Sequence, residues 1–228
     1  PVLSPSPLLP MSTDAIHQDQ PVHTGGAPLD DAQAGLVLLH GRGASAQGML
    51  QLADDLDVPD IAHLAPQARM RSWYPQSFMA PRDQNEPELA SALATIGDVL
   101  GRLADAGIGP ARTVLLGFSQ GACLATTYAA QTPQRYGGVV GLSGGLIGPD
   151  GASFDYEGSL DATQVFLGCS DQDPYIPRAR VAETADVLRA LNADVTSRIY
   201  EGLGHTINDD ERQHARSLLR RCVDSDTA

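Results

Sequence analysis

Lysine is missing from this sequence of 228 residues, so all 15 of its positively charged side chains are arginines. They stand against 28 acidic residues, which gives a formal net charge of -13. A surface with this charge repels nucleic acid and anionic lipid headgroups. We therefore expect neither nucleic acid nor a stable membrane association among the partners of this protein.

Long apolar runs and paired cysteines are also lacking. No stretch approaches the roughly 18 consecutive apolar residues of a membrane span, and the proline-interrupted start at residues 1–10 has no basic region typical of a secretory signal. Cys123, Cys169 and Cys222 are odd in number and have neither metal-ligand nor C-x-x-C spacing. These features predict a cytoplasmic protein with free, buried thiols and no bound metal or cofactor.

The remaining composition, 42% hydrophobic and 19% charged, is that of a globular protein. Residues 1–20 are rich in proline, serine and aspartate, and we expect a flexible surface arm there, followed by a single domain over 21–228. Short apolar runs predict strands at 20–24, 35–39, 61–65, 114–116, 139–142, 164–167 and 195–200. Helical patterns lie between most of these runs, which predicts a mostly parallel α/β sheet covered by helices on both faces, with no second domain.

The sequence G-F-S-Q-G at residues 117–121 stands directly between an apolar run and a helical pattern of small residues. G-x-S-x-G in a strand–turn–helix context is the nucleophile elbow of the α/β-hydrolase fold. Its glycines avoid collisions with the neighbouring strand and helix, and the turn exposes the serine hydroxyl at a helix N-terminus. Ser119 is therefore the predicted nucleophile.

A serine hydroxyl needs a base, and the base needs an orienting acid. In this fold the two follow the nucleophile in the order acid, then histidine. His205 stands in a glycine-flanked loop after the last strand, whereas His214 falls among charged residues of the closing helix, which is typical of a solvated position. For the acid we favour Asp173, which the following proline holds extended, over Asp171, which could instead shape the turn.

The tetrahedral intermediate of acyl transfer needs two N–H donors. We expect one from the backbone of Gln120, directly after the nucleophile. The other is expected from the backbone of Arg42 in H-G-R-G, where glycines allow a close approach to substrate. A phosphate-binding loop is the competing interpretation of H-G-R-G, but neither the lysine nor the glycine spacing of such loops is present.

Taken in order, H-G-R-G-A-S, S-W-Y-P, G-F-S-Q-G-A-C-L-A, L-S-G-G-L, D-P-Y-I-P and G-L-G-H-T-I resemble the bacterial phospholipase/carboxylesterase family, which includes acyl-protein thioesterases. The resemblance covers residues 35–221. It implies an α/β-hydrolase without a large cap domain, a triad of Ser119, Asp173 and His205, and the Arg42 and Gln120 amides as oxyanion hole. Thioesterases usually show H-G-L-G where this chain has Arg42, which puts a preference for long acyl chains in doubt.

The substrate pocket is predicted from apolar residues on loops that this fold places over the catalytic edge of the sheet. These residues are Trp73, Tyr74, Phe78, Met79, Tyr175 and Ile176. For Phe78 and Met79, packing of the long connection at residues 69–86 onto the body of the domain is an equal alternative. Trp73 and Tyr175 are favoured because each adjoins a motif.

Together these predictions describe a serine carboxylesterase that hydrolyses small esters with short to medium acyl chains. A thioesterase or lysophospholipase of the same architecture is the first alternative. A ligand-binding protein that kept a hydrolase fold is the second. A homodimer is compatible with the sequence, although no interface patch can be named.

Overall fold

The computed structural model describes residues 15–224, in which seven strands form one sheet in the order β1-β3-β2-β4-β5-β6-β7. The strands are β1 (Val22–Gly26), β2 (Ala34–Leu39), β3 (Ile61–Pro66), β4 (Thr113–Phe118), β5 (Gly138–Leu142), β6 (Gln164–Ser170) and β7 (Asp194–Tyr200). The helices are α1 (Ala46–Leu56), α2 (Glu88–Asp105), α3 (Gln120–Gln131), α4 (Arg178–Ala190) and α5 (Asp209–Asp224). Only β1 runs antiparallel to its neighbour, so the predicted mostly parallel sheet is confirmed.

The two faces of the sheet carry separate hydrophobic layers, because successive strand residues point to opposite sides. In β4, Leu115 packs with α2, α3 and α4, whereas Val114 and Leu116 pack with α1 and α5. The central strands β2 and β4 are buried along nearly their whole length, as expected of strands covered on both faces. The carboxyl ends of the parallel strands therefore meet at one edge, where the loops that carry function are placed.

The first strand differs from its predicted range at both ends. It lies at Val22–Gly26 rather than 20–24, because Gly25 and Gly26 pair with β3 instead of forming a turn. A Cβ at Gly26 would lie 2.2 Å from the carbonyl oxygen of Ile61, so glycine permits this close pairing. Both glycines thus belong to the strand.

The predicted surface arm falls mostly on residues 1–14, which lie outside the described residues. Residues 15–20 form a turn, and within it His17 is buried, with its Nε2 2.9 Å from the carbonyl oxygen of Trp73. The backbone N–H of His17 also donates to the Ser91 hydroxyl at 2.9 Å. The expectation of a flexible arm therefore does not hold for residues 15–20.

Helix α5 begins with a cap whose pattern is visible in the sequence, an asparagine followed three residues later by a glutamate. The backbone N–H of Asn208 donates to Glu211 Oε2 at 2.9 Å, and the N–H of Glu211 donates to Asn208 Oδ1 at 2.9 Å. This reciprocal pair satisfies two backbone donors at the helix start. It also fixes the end of the loop that carries His205. Among residues 15–224, no helix has both the length and the apolar character that crossing a membrane requires.

Candidate active site

Ser119 lies at the tip of a strained turn between β4 and α3. Its φ is 54° and its ψ is -119°, a conformation that non-glycine residues seldom adopt. The flanking glycines are required by space: a Cβ at Gly117 would lie 2.2 Å from the carbonyl oxygen of Gly121, and one at Gly121 would lie 2.0 Å from that of Leu39. The sequence G-x-S-x-G therefore builds the sharp turn that was predicted from it.

The structure brings three predicted residues into one hydrogen-bonded line. Ser119 Oγ lies 2.9 Å from His205 Nε2, and His205 Nδ1 lies 2.7 Å from Asp173 Oδ2. These residues follow the carboxyl ends of β4, β7 and β6, which the parallel sheet places at one edge. With Nδ1 donating to the carboxylate, Nε2 is free to accept the serine proton, which is the arrangement that activates a hydroxyl.

Both carboxylate oxygens of Asp173 accept hydrogen bonds, Oδ2 from His205 and Oδ1 from the backbone. Its side chain is fully buried, and Oδ1 accepts hydrogen bonds from the backbone N–H groups of Tyr175 at 2.9 Å and Ile176 at 3.1 Å. Burial favours the neutral carboxyl, but the hydrogen bonds from His205 and from these two N–H groups outweigh it, so the pKa of Asp173 lies below its ordinary value. The carboxylate is therefore ionised where it faces the imidazole.

Asp171, the other candidate acid, has a different role. Its Oδ1 accepts the backbone N–H of Gly202 at 2.8 Å and so ties the end of β6 to the turn after β7. His214 is also remote from the triad line: its ring stacks on Phe166 at 4.2 Å, and its Nε2 lies 3.8 Å from Asp210. His214 is partly exposed, and neither it nor Asp171 contacts Ser119.

The H-G-R-G loop lies against the nucleophile. A Cβ at Gly41 would lie 3.3 Å from the Ser119 Cβ, which leaves room for glycine and little more. Arg42 and Gln120 line the same cavity as Ser119. Their backbone N–H groups take no part in the hydrogen bonds that join turns, loops and helix ends within residues 15–224. Both remain available as donors to an oxyanion.

His40 supports this loop through two hydrogen bonds to the backbone. Its Nε2 accepts the backbone N–H of Ala68 at 3.0 Å, which requires the proton on Nδ1, where it donates to the carbonyl oxygen of Gly41 at 2.7 Å. Burial lowers the pKa of His40, although its hydrogen bond to Gly41 opposes the shift. A neutral, buried imidazole thus braces the backbone next to Arg42.

A cavity of about 580 Å³ opens beside Ser119 and His205. Four of the six predicted pocket residues, Tyr74, Phe78, Tyr175 and Ile176, line it. Cys123 lines it as well, one helical turn beyond the nucleophile, and this was not predicted. Burial raises the pKa of the Cys123 thiol to about 11, so the cysteine contributes a small apolar surface rather than a nucleophile.

The prediction of Trp73 and Met79 as pocket residues is wrong. Trp73 is completely buried, its indole N–H donates to the carbonyl oxygen of His40 at 2.9 Å, and its ring lies between His17 and His40. Met79 is half-buried against the hydrophobic layer formed with α2, α3 and α4. Trp73 and Tyr74 are adjacent in the chain, and Tyr74 alone of the two reaches the cavity.

The cavity wall at 74–76 is held by side chains whose role was not predicted. The Arg42 guanidinium donates to the carbonyl oxygens of Tyr74, Pro75 and Gln76 at 2.8, 2.9 and 2.7 Å. The Gln120 side chain accepts the backbone N–H of Trp73 at 2.8 Å and donates to the carbonyl oxygen of Tyr74 at 2.8 Å. The two residues whose backbone N–H groups are the predicted oxyanion donors therefore also hold the pocket wall through their side chains, and the Arg42 guanidinium is engaged with the protein.

Glu211 lies buried behind the triad, against β6. A Cβ at Gly168 would lie 2.3 Å from its Oε1, so glycine makes room for this carboxyl. Burial raises the pKa of Glu211 to about 7, although the hydrogen bond from the Asn208 backbone opposes the shift. The cap pattern identified this residue, but its burial could not be read from the sequence.

Comparison with known proteins identifies relatives of this chain. The family model described as Phospholipase/Carboxylesterase matches residues 26–223. A phospholipase/carboxylesterase structure from Dyadobacter fermentans superposes with a TM-score of 0.85 at 40% identity, covering 89% of this chain and 97% of that one.

Two curated relatives are more distant in sequence. Acyl-protein thioesterase 1 of Saccharomyces cerevisiae is 26% identical in an alignment 222 positions long that covers 87% of this chain and 97% of that protein. Esterase YpfH of Escherichia coli is 27% identical in an alignment 208 positions long that covers 86% of each chain.

Proposed function

The chain belongs to the phospholipase/carboxylesterase family and is a hydrolase that acts on esters, and from this premise we propose that it is a serine carboxylesterase for short- to medium-chain acyl groups. The observation that carries the proposal is the hydrogen-bonded line Ser119–His205–Asp173 beside a cavity with a partly apolar lining. The proposed substrate is a small, uncharged ester.

In the proposed acylation step, Ser119 Oγ attacks the ester carbonyl carbon while His205 Nε2 takes its proton. Asp173 orients the imidazole and stabilises the imidazolium that forms. The backbone N–H groups of Arg42 and Gln120 donate to the carbonyl oxygen as it becomes negatively charged. His205 then passes its proton to the alkoxide oxygen, the bond from that oxygen to the carbonyl carbon breaks, and the alcohol leaves.

Deacylation repeats the sequence with water. His205 takes a proton from a water molecule, the resulting hydroxide attacks the acyl carbon, and the proton returns to Ser119 Oγ as the carboxylic acid leaves. The same oxyanion donors serve both steps.

The size and lining of the cavity support the acyl-length part of the proposal. A volume of about 580 Å³ is within the range of small-ligand pockets. The wall at 74–76 is held by three hydrogen bonds from Arg42, which favours a pocket of fixed depth. We expect kcat/KM to rise with acyl length while methylenes are still being buried, and then to fall.

A fluorophosphonate probe tests the mechanism. Wild-type protein should be labelled at Ser119, and Ser119→Ala should be unlabelled and should lose nearly all turnover. Labelling at another residue, or turnover that survives in Ser119→Ala, would refute the proposal. Turnover of a simple aryl ester beyond one equivalent excludes a purely ligand-binding protein.

A thioesterase is the second candidate, because the yeast relative named above is called an acyl-protein thioesterase. Matched oxygen esters and thioesters of one acyl group separate the two. A carboxylesterase should show kcat/KM values for the oxygen ester at least comparable to those for the thioester, whereas a strong preference for the thioester would favour the second candidate.

A further inference from the structure

We call the cavity of about 580 Å³ beside Ser119 the acyl cavity. A second cavity lies next to His205, on the other side of its imidazole ring. It measures about 430 Å³ and is bounded by α1, by Phe118 and by the segment between His205 and α5. The imidazole of His205 contacts both sides: Tyr175 of the acyl cavity lies 5.0 Å from it, and Phe118 lies 4.9 Å from it, between ring centroids. We call this second cavity the α1 groove.

The walls of the α1 groove are mainly apolar. The apolar side chains in its lining include Met49, Leu52, Phe118 and Ile207. Its two charged residues are engaged with neighbours: Arg212 donates to Asp209 at 3.0 Å, and Asp55 accepts from Gln51 at 3.4 Å. The groove therefore offers a ligand a mainly hydrophobic surface that leads away from the imidazole.

The two cavities differ in their relation to the nucleophile. Ser119 lines the acyl cavity and is not among the residues that line the α1 groove, whereas His205 lines both. The acyl group becomes bonded to Ser119 Oγ and must stay beside it until water releases it. The leaving oxygen must instead come within hydrogen-bond reach of His205 Nε2, which gives it a proton.

On the basis of the proposed esterase function, we propose that the α1 groove binds the alcohol half of the ester and selects uncharged aliphatic alcohols. During acylation the alcohol oxygen sits beside His205 Nε2, with its carbon chain along Phe118, Leu52 and Ile207. When the ester bond breaks, the alcohol takes the proton from His205 and leaves through the groove. The acyl half remains in the first cavity.

A groove-filling variant with a matched control tests this subsite. Leu52→Trp fills the groove, whereas Asp54→Trp adds the same side chain to an exposed position of α1 outside its lining. Two ester series are measured: butanoyl esters of methanol to hexanol, and methyl esters of acids of increasing length. Alkyl alcohols keep the chemical reactivity of the leaving group nearly constant across the first series.

We expect wild-type kcat/KM to rise about four-fold for each alcohol methylene that becomes buried. Leu52→Trp should abolish this dependence and lose roughly ten-fold or more on the hexyl ester, while methyl esters lose much less and the optimal acyl length does not change. Its rate of deacylation should be unchanged because the acyl-enzyme no longer carries the alcohol. Asp54→Trp should behave as wild type in every measurement.

Competition between alcohol and water for the wild-type acyl-enzyme gives a second test that needs no variant. By microscopic reversibility, an alcohol bound in the α1 groove attacks the acyl-enzyme and forms an ester. Butanol and hexanol should therefore capture the acyl group more efficiently than methanol, again by about four-fold per buried methylene.

A flat response to alcohol length in both tests would overturn the subsite. A shift of the acyl-length profile in Leu52→Trp would overturn it too, because the halves of the substrate would then be reversed. Fluorophosphonate labelling of Ser119 is run alongside: labelled protein with no alcohol dependence refutes the groove alone, whereas unlabelled wild type refutes the esterase mechanism itself.

Discussion

The replacement of Asp173 by asparagine separates the electrostatic role of this side chain from its role in the fold. Asparagine keeps one oxygen, which can still accept the backbone N–H groups of Tyr175 and Ile176. Its amide group would instead face His205 Nδ1, where Asp173 Oδ2 now accepts at 2.7 Å. A donor at that position favours the tautomer with the proton on Nε2, which cannot take the proton of Ser119.

The expected loss in kcat for Asp173→Asn is about 10⁴-fold, by analogy with the same change in other serine hydrolase triads. This corresponds to about 5 kcal/mol of lost transition-state stabilisation. The thermal midpoint should fall little, because the turn keeps its hydrogen bonds. Asp173→Ala should show the same loss of kcat with an added loss of stability, on the order of 1 kcal/mol, since both turn bonds are gone.

Asp171→Asn is the matched control. Asp171 is exposed, and its side chain accepts one hydrogen bond, from the backbone of Gly202. Replacing this carboxylate with an amide should therefore cost no more than about ten-fold in kcat. Steady-state hydrolysis of an aryl butanoate and thermal unfolding measure all three variants. If Asp173→Asn retained more activity than Asp171→Asn, the choice of orienting acid would be refuted.

Three further predictions concern the surroundings of the triad. Glu211 has a folded-state pKa of about 7, above its ordinary value of 4.5, so stability should fall as pH rises from 4.5 through 7, by on the order of 3 kcal/mol. Glu211→Gln should make the thermal midpoint nearly independent of pH between 4.5 and 7, and an unchanged pH dependence would contradict the raised pKa of Glu211. Arg42→Leu removes the three hydrogen bonds to the carbonyl oxygens of residues 74–76 and should move the optimal acyl length to longer chains, with Arg42→Lys intermediate. An unchanged optimum would show that these hydrogen bonds do not set the depth of the pocket. The native thiols, all buried, should resist iodoacetamide at about pH 8 and react after unfolding; labelling of folded Cys123 with loss of activity would count against its inert role.

The regular elements of the fold could be predicted from the sequence. Buried parallel strands are continuous apolar runs, and the α5 cap needs only Asn208 and Glu211 at a fixed spacing. The elbow was predictable for the same reason, because steric limits at Gly117 and Gly121 leave few residue choices. These features depend on local geometry, which a sequence records directly.

The connection at 69–86 was predicted less well, because long-range hydrogen bonds set its path. Contacts with Arg42, Gln120 and His40 decide that Tyr74 enters the cavity and Trp73 does not. No periodicity in the sequence encodes that choice. Strand β6 was likewise predicted to end at Leu167 but continues to Ser170, because its last residues pair with β7. The direction of an irregular segment is a property of the assembled protein.

The conformation of Ser119 sets a limit on how far this protein could be stabilised without losing its chemistry. A non-glycine residue at φ 54° and ψ -119° costs on the order of 1–3 kcal/mol, which the surrounding strand and helix must offset. Glycine at 119 would relieve that strain and abolish the nucleophile in the same step. Selection for thermal stability alone would therefore disfavour serine at position 119. Keeping Ser119 means that some folding stability is given up for catalytic activity.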